Sequence, residues 1–141
     1  MRKLIAILWT IFIGLTICFG QVQNDTIDGQ IVYPFADKTL DKLPEFPGGN
    51  AMMMSFIRKN LIIQKEQEDW QGSIYISFIV DTTGQVRNAY IYKRYFKGAL
   101  TPIENEALRV VNIMPIWSVG QKKGKKVPVQ ITLPIKFGLK E

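Results

Sequence analysis

The chain of 141 residues is long enough for one domain and a leader segment. It contains no histidine and one cysteine, which leaves carboxylates and lysines as the candidates for catalysis and excludes a disulfide-stapled domain. The formal net charge is +6, and Arg2 and Lys3 supply two of these charges, so the rest of the chain carries +4. This mild excess does not by itself indicate nucleic-acid binding.

The first twenty residues have the pattern of a secretory signal peptide. Arg2 and Lys3 precede an apolar run over residues 4–19, which is short for a bilayer span of about 20 apolar residues. We therefore expect residues 1–20 to be a cleaved signal peptide, with the mature chain starting at Gln21.

Two small residues support cleavage, because Cys18 and Gly20 have the spacing that signal peptidase recognises. One alternative is an uncleaved amino-terminal anchor in the inner membrane. The other is lipidation at Cys18, which bulky Ile17 disfavours.

Residues 21–43 are polar and irregular, and we expect a short linker that includes a brief strand at residues 31–33. A helix follows the Pro-Gly-Gly breaker at residues 47–49, with Asn50 as its cap and its end near Asn60. One face of this helix carries apolar residues: Met52, Met53, Phe56, Ile57 and Leu61. The three consecutive methionines favour flexible core filling, with an adaptable binding surface as the alternative.

Residues 71–92 predict a β-hairpin. In the first arm, four apolar residues share one face, with Ile79 as the exception: Ile74, Ile76, Phe78 and Val80. Asp81 and Gly84 supply the turn, since the carboxylate can accept turn amides and glycine takes positive φ at little cost. The parity of apolar residues changes in the second arm, which predicts a bulge near residues 87–88.

A second helix begins at a capping box formed by Thr101 and Glu104, with Pro102 at the first helical position. Its apolar face must cover the hairpin: Ile103, Ala107, Val110, Val111 and Met114. Pro115 ends the helix, and we expect Trp117 to fill the core beyond it.

The last strand, residues 127–137, alternates apolar and polar residues throughout. Pro128 and Pro134 have the same parity and lack the amide hydrogen, which predicts that this strand lies at the sheet edge with the backbone of Gln130 and Thr132 free. The functional interpretation is a docking edge for a partner's strand, formed by Val129, Gln130, Ile131, Thr132 and Leu133. The alternative is protection of an edge against aggregation.

Five short motifs occur in one order: PEFPGG at 44–49, QG at 71–72, D-x-x-G-x-V at 81–86, ALRVV-x-x-MP-x-W at 107–117, and GK-x-VPV-x-x-x-x-PI-x-F at 124–137. Together they resemble the carboxy-terminal domain of TonB, over residues 44–137. The resemblance implies an α+β fold in which two helices cover a three-stranded antiparallel sheet. It also implies a periplasmic domain, residues 44–141, whose last strand or its neighbourhood pairs with an extended segment of an outer-membrane receptor in energy-coupled transport.

The sequence departs from the family in three places. It has no long proline-rich spacer, Ile63 and Gln64 stand where the family often has Tyr-Pro, and Val119 replaces the proline of Trp-x-Pro-Gly. The resemblance therefore covers the binding domain and not a force-transmitting spacer.

We thus expect a non-enzymatic module without cofactor or metal. Its partner is an outer-membrane receptor, another envelope protein or a second copy of the chain, and membrane contact occurs only through an uncleaved leader. One alternative is a basic module that binds anionic lipid or nucleic acid, although we do not expect a nucleic-acid partner. Its residues are Lys93, Arg94, Lys97 and a basic patch formed by Lys122, Lys123, Lys125 and Lys126. A purely structural role in the envelope is another alternative.

Overall fold

A computed structural model describes residues 25–64, 71–94 and 98–138. In chain order its elements are β1 (Thr26–Ile27), β2 (Gln30–Ile31), β3 (Tyr33–Pro34), α1 (Gly49–Asn60), β4 (Gly72–Val80), β5 (Val86–Ile91), α2 (Pro102–Asn112), β6 (Gly120–Lys122), β7 (Lys125–Val127) and β8 (Val129–Phe137). The described residues contain no helix with the length and apolar character needed to cross a membrane. The predicted signal peptide lies outside the described residues.

The main sheet has four strands in the order β3–β8–β4–β5. β4 and β8 are antiparallel along their whole length, from Gly72 opposite Phe137 to Val80 opposite Val129. β3 joins the other side of β8 as a short parallel strand. The α+β fold and the extra amino-terminal strand are confirmed, but the sheet is four-stranded and mixed because β3 is parallel.

The predicted hairpin is formed by β4 and β5. Gly84 has φ +85°, and its amide donates to the Asp81 carbonyl at 3.0 Å. Burial alone would raise the pKa of the Asp81 carboxyl, but hydrogen bonds from Thr83 and from the Gln85 amide hold that pKa below its ordinary value. The bulge is also confirmed, because the register shifts opposite Phe78 and Asn88 takes φ +53°.

One face of the sheet and both helices enclose the main core. It includes the four predicted residues of β4, alternate residues of β8 and the inner faces of the helices: Ile74, Ile76, Phe78, Val80, Ile131, Leu133, Ile135, Met53, Ile57, Ile103, Ala107, Val110 and Val111. Trp117 is buried as predicted, with its ring edge-on to Phe46 and Phe78 at centroid distances of 5.6 Å.

The two helix starts have different outcomes. The capping box of α2 is confirmed: the Glu104 amide donates to the Thr101 hydroxyl, and the Thr101 amide donates to the Glu104 carboxylate. The prediction of Asn50 as the cap of α1 is wrong. Gly48 occupies that position with φ +82°, and Asn50 already lies inside the first turn.

The amino-terminal arm, residues 25–36, packs against the sheet face opposite the helices. Ile27 and Val32 bury Ile79 in a second, small core cluster, which explains why Ile79 breaks the alternation of the first hairpin arm. The described part of the segment predicted as a linker therefore contributes to the folded domain, since it carries three short strands.

The predicted last strand is divided at Pro128. Val127 pairs with Gly120 in the small β6–β7 hairpin, and β8 begins only at Val129. The expectation of one continuous strand over residues 127–137 is therefore wrong. The physical reason is that proline offers no amide to continue the pairing through this point.

Candidate functional site: the outer edge of β8 and its groove

The backbone groups of β8 alternate between its two neighbours. The Pro128 and Gln130 carbonyls each accept an amide of the arm at 3.0 Å, from Tyr33 and Phe35 respectively. Even-numbered residues thus direct their backbone groups away from β4, and the same parity applies to Thr132. The inference from the two prolines about which side of the strand faces outward is confirmed.

The prediction that the last strand lies at the sheet edge with a free Gln130 backbone is wrong at the start of β8, because β3 pairs with Val129 and Gln130 there. The register places Pro34 opposite Gln130, and the arm then leaves the strand at Phe35. Beyond Gln130, no strand among the described residues pairs with the outer side of β8. The open window is therefore centred on Thr132 and limited by Pro134, which has a carbonyl but no amide hydrogen to offer.

The side chains of β8 fix the position of this window. Ile131 and Leu133 are each 8% exposed and belong to the main core, so the strand is anchored from the helix side. On the opposite face, the Gln130 side-chain amide donates to the Ser77 hydroxyl at 2.9 Å. The exposed Thr132 side chain lies on this same open face.

A groove of about 760 Å³ runs beside the window. Its lining includes residues 130–133 of β8, together with residues of α1, of the arm and of the loop before α1. Other lining residues include Phe35, Phe46, Asn50, Met53, Met54, Tyr92 and Trp117. The free edge is thus one wall of a mostly carbon-lined groove.

The methionine run is divided between two roles. Met53 is buried in the core, whereas Met54 is 36% exposed and lines the groove. Met52 is 55% exposed and is not among the lining residues. Core filling is therefore correct for Met53. For Met54, which lies at the surface of the groove, the adaptable binding surface stays a prediction.

The four lysines predicted as a basic patch differ in exposure and in their contacts. Lys122 lies 4.3 Å from the centroid of the Tyr33 ring, and its ammonium is 3.8 Å from the Asp37 carboxylate. Hydrogen bonds from Thr39, and to a smaller extent the charge of Lys122, hold the pKa of Asp37 below its ordinary value. Lys122 therefore fastens the arm, and the exposed patch consists of Lys123, Lys125 and Lys126.

Other basic side chains near the second helix are also engaged. Arg94 donates to both carboxylate oxygens of Glu104 at 3.1 Å and to the carbonyls of Gly98 and Ala99. It thus fixes the entry to α2 and leaves little capacity for a polyanion. Lys97, which the alternative of nucleic-acid binding includes, lies outside the described residues.

Sequence reasoning did not assign Phe35 or Met54 individually to a binding site, although both are exposed residues of the groove lining. The signal for Met54 was the methionine run, which does not reveal which methionine is buried and which lines the groove. Phe35 carried no signal, because its position depends on the pairing of the arm with β8, almost one hundred residues away along the chain.

The comparison with protein families matches this chain to the one described as the Gram-negative bacterial TonB protein C-terminal, over residues 64–139. The match covers more than half of the chain, and it includes β4, β5, α2 and all of β8. The chain therefore belongs to the TonB C-terminal family, a family of envelope-associated protein-interaction domains. No curated protein and no solved structure matches it.

Proposed function

We propose that this chain is a periplasmic, TonB-like binding module, exported through residues 1–20, that pairs the outer edge of β8 with an extended segment of an outer-membrane receptor or another envelope protein. The pairing would serve energy-coupled transport. The observation that carries the proposal is the open window at Thr132, whose backbone faces away from β4 and lies beyond the end of β3. Membership of an envelope interaction family supports the same assignment.

Strand addition suits this window because the edge is already extended and held in place. An incoming strand gains backbone hydrogen bonds without any rearrangement of β8. Each such bond contributes only about 0.5–1.5 kcal/mol net, so a window with few free groups predicts weak and reversible pairing. This strength fits a contact that must form and release during transport.

The test is to install a photo-crosslinking side chain at Lys136, on the outward parity of β8, and to compare two substitutions at Thr132. Thr132→Pro removes the outward amide, whereas Thr132→Val keeps the amide and the β-branched shape. We expect crosslinking to an extended receptor segment in envelope extract to persist with Thr132→Val and to fall strongly with Thr132→Pro.

Both variants should remain folded, because the Thr132 amide faces away from β4. Equal crosslinking by the two variants would refute strand pairing at this edge. Unfolding of the Thr132→Pro variant, with normal stability of Thr132→Val, would show that the amide is already used inside the sheet.

A second candidate function rests on the exposed lysines at the tip of the β6–β7 hairpin, Lys123, Lys125 and Lys126. These could attract an anionic lipid surface or a nucleic acid. Salt separates the two functions: phosphate binding weakens steeply as salt rises, whereas backbone pairing largely persists. Binding to anionic vesicles that vanishes at high salt, without receptor crosslinking, would favour this second function.

A further inference from the structure

The groove beside the window extends from the side of the sheet that the helices cover to Tyr92 and the exposed Thr132. Asn50, Met53 and Met54 of α1 contribute to it, and Phe46 adds a buried aromatic ring. Phe35 closes one end at the point where its own amide donates to the Gln130 carbonyl. Any strand that continues along β8 beyond Phe35 must therefore pass next to these side chains.

Alternation decides which partner side chains enter the groove. Paired residues on neighbouring strands direct their side chains to the same face of a sheet. A partner residue opposite Thr132 points to the open face, as Thr132 does. The position opposite Ile131 is already taken by Phe35, which follows Pro34 in the register. The partner residue opposite Leu133 points toward the helices, into the part of the groove lined by α1.

The lining defines the chemistry of those side chains. Phe35 and Met54 remain 45% and 36% exposed, which is a large apolar surface beside an unpaired edge. Among the lining residues, the charged side chain is that of Glu45, at the loop before α1, so an acidic group would meet repulsion there. Methionine adapts its shape to different apolar partners, which suits a site that accepts several aliphatic or aromatic side chains.

We propose that the groove selects the partner strand by a side chain: it takes a bulky apolar residue at the position opposite Leu133, next to the residue paired with Thr132. This inference rests on the proposed edge pairing and adds sequence preference to it. The occupant is an extended segment, supplied by the envelope partner, with a bulky apolar residue next to the residue paired with Thr132. This apolar side chain covers Phe35 and Met54 while the backbone pairs with β8.

Two blocked, fluorescein-labelled peptides test this preference by fluorescence anisotropy with the full chain. One is Ser-Thr-Leu-Thr-Leu-Thr-Ser, and in the other both leucines are replaced by serine. Burial of a leucine side chain opposite Leu133 should make the first peptide bind at least about tenfold more tightly. Equal affinity of the two peptides would overturn the inference, as would the absence of binding by either peptide up to about 1 mM.

The chain offers a matched pair of variants on one helix. Met54→Ser removes an apolar wall of the groove, and Met52→Ser makes the same chemical change at an exposed position that does not line it. We expect Met54→Ser to weaken binding of the leucine peptide about fivefold or more, with no effect on the serine peptide. Met52→Ser should leave both affinities unchanged, and an equal loss from the two variants would overturn the inference.

The Thr132→Pro variant separates this inference from the proposed function. If it loses both peptides while the wild-type chain binds them equally, edge pairing stands and side-chain selection fails. If the variant binds both peptides with wild-type affinity, edge pairing itself fails. Strong binding only after removal of residues 1–20 would show that the groove holds the chain's own leader, which would also overturn the inference.

Discussion

Gly84 is the turn position at which a small substitution should cost the most. Its φ of +85° is one that a residue with a side chain adopts only with strain. A Cβ at this position would lie 2.2 Å from the Trp117 carbonyl oxygen and 2.8 Å from the Ile116 Cγ2. The Trp117 amide also donates to the Gly84 carbonyl at 2.9 Å, so the turn cannot move away without losing this bond.

The magnitude follows from two separable costs. Positive φ alone costs an alanine about 1–2 kcal/mol relative to glycine. Overpacking against a fixed backbone carbonyl adds about 1–3 kcal/mol. Gly84→Ala should therefore lower the free energy of unfolding by about 2–5 kcal/mol, and Gly84→Val by at least as much.

Gly124 provides the matched control. Its φ is +72°, but a Cβ there would have no heavy atom within 4 Å. Gly124→Ala therefore carries the conformational cost without the contact and should lower stability by about 1–2 kcal/mol. Urea unfolding, with midpoints compared at a constant m-value, measures both variants. Equal losses at the two glycines would refute the steric argument and the close approach of residues 116–117 to the turn.

Three further predictions concern cleavage of the leader, packing in the core and the loss of stability at acid pH. Mass spectrometry of the exported chain should show that it starts at Gln21, and an intact leader would contradict cleavage. Phe78→Ala and Val110→Ala should together cost about 2–5 kcal/mol or more with a coupling between them, since both residues are fully buried in one cluster. Additive losses would contradict direct packing. Hydrogen bonds from Arg94 hold the pKa of Glu104 below its ordinary value of 4.5. The stability that this carboxylate contributes is therefore complete above about pH 4.5, and it is lost as the pH falls through the lowered pKa. Arg94→Met should reduce the fall in unfolding free energy between neutral and acid pH, and an unchanged fall would contradict the linkage.

Local patterns were sufficient to predict the central elements of this fold. The alternation of β4, the bulge near Asn88 and the capping box at Thr101 depend on residues close together in sequence. The parity of Pro128 and Pro134 correctly indicated which side of the last strand faces outward. In each case a covalent or short-range constraint, such as a missing amide or a positive φ, left one arrangement much more favourable than the others.

Long-range pairing accounts for most of what the sequence did not reveal. β3 contains two residues, and its position on β8 depends on Val32 and Ile27 packing against Ile79, which no local pattern encodes. The groove combines Phe35, Met54 and Ile131 from three distant parts of the chain. The cap of α1 was misassigned because Asn50 is a good capping residue by type, whereas the backbone of Gly48 makes the entry turn.

Because the arm covers the start of the outer edge of β8, the proposed binding site is shorter than the sequence predicted. The predicted site centred on Gln130 and Thr132, but Gln130 already pairs with β3. The partner strand is therefore expected to begin where Phe35 leaves the sheet and to extend toward Pro134. Lys122, bound to Asp37 and Tyr33, holds the arm in this position.

Amide hydrogen exchange along β8, followed residue by residue by NMR, tests the central claim most directly. In the free chain, the amides of Ile131 and Leu133 face β4 and should be protected, whereas the Thr132 amide faces outward and should exchange quickly. Addition of the crosslinked receptor segment as a peptide should make the Thr132 amide slow while leaving its neighbours unchanged. Protection of Thr132 in the free chain, or its continued fast exchange in the complex, would contradict strand addition at this edge.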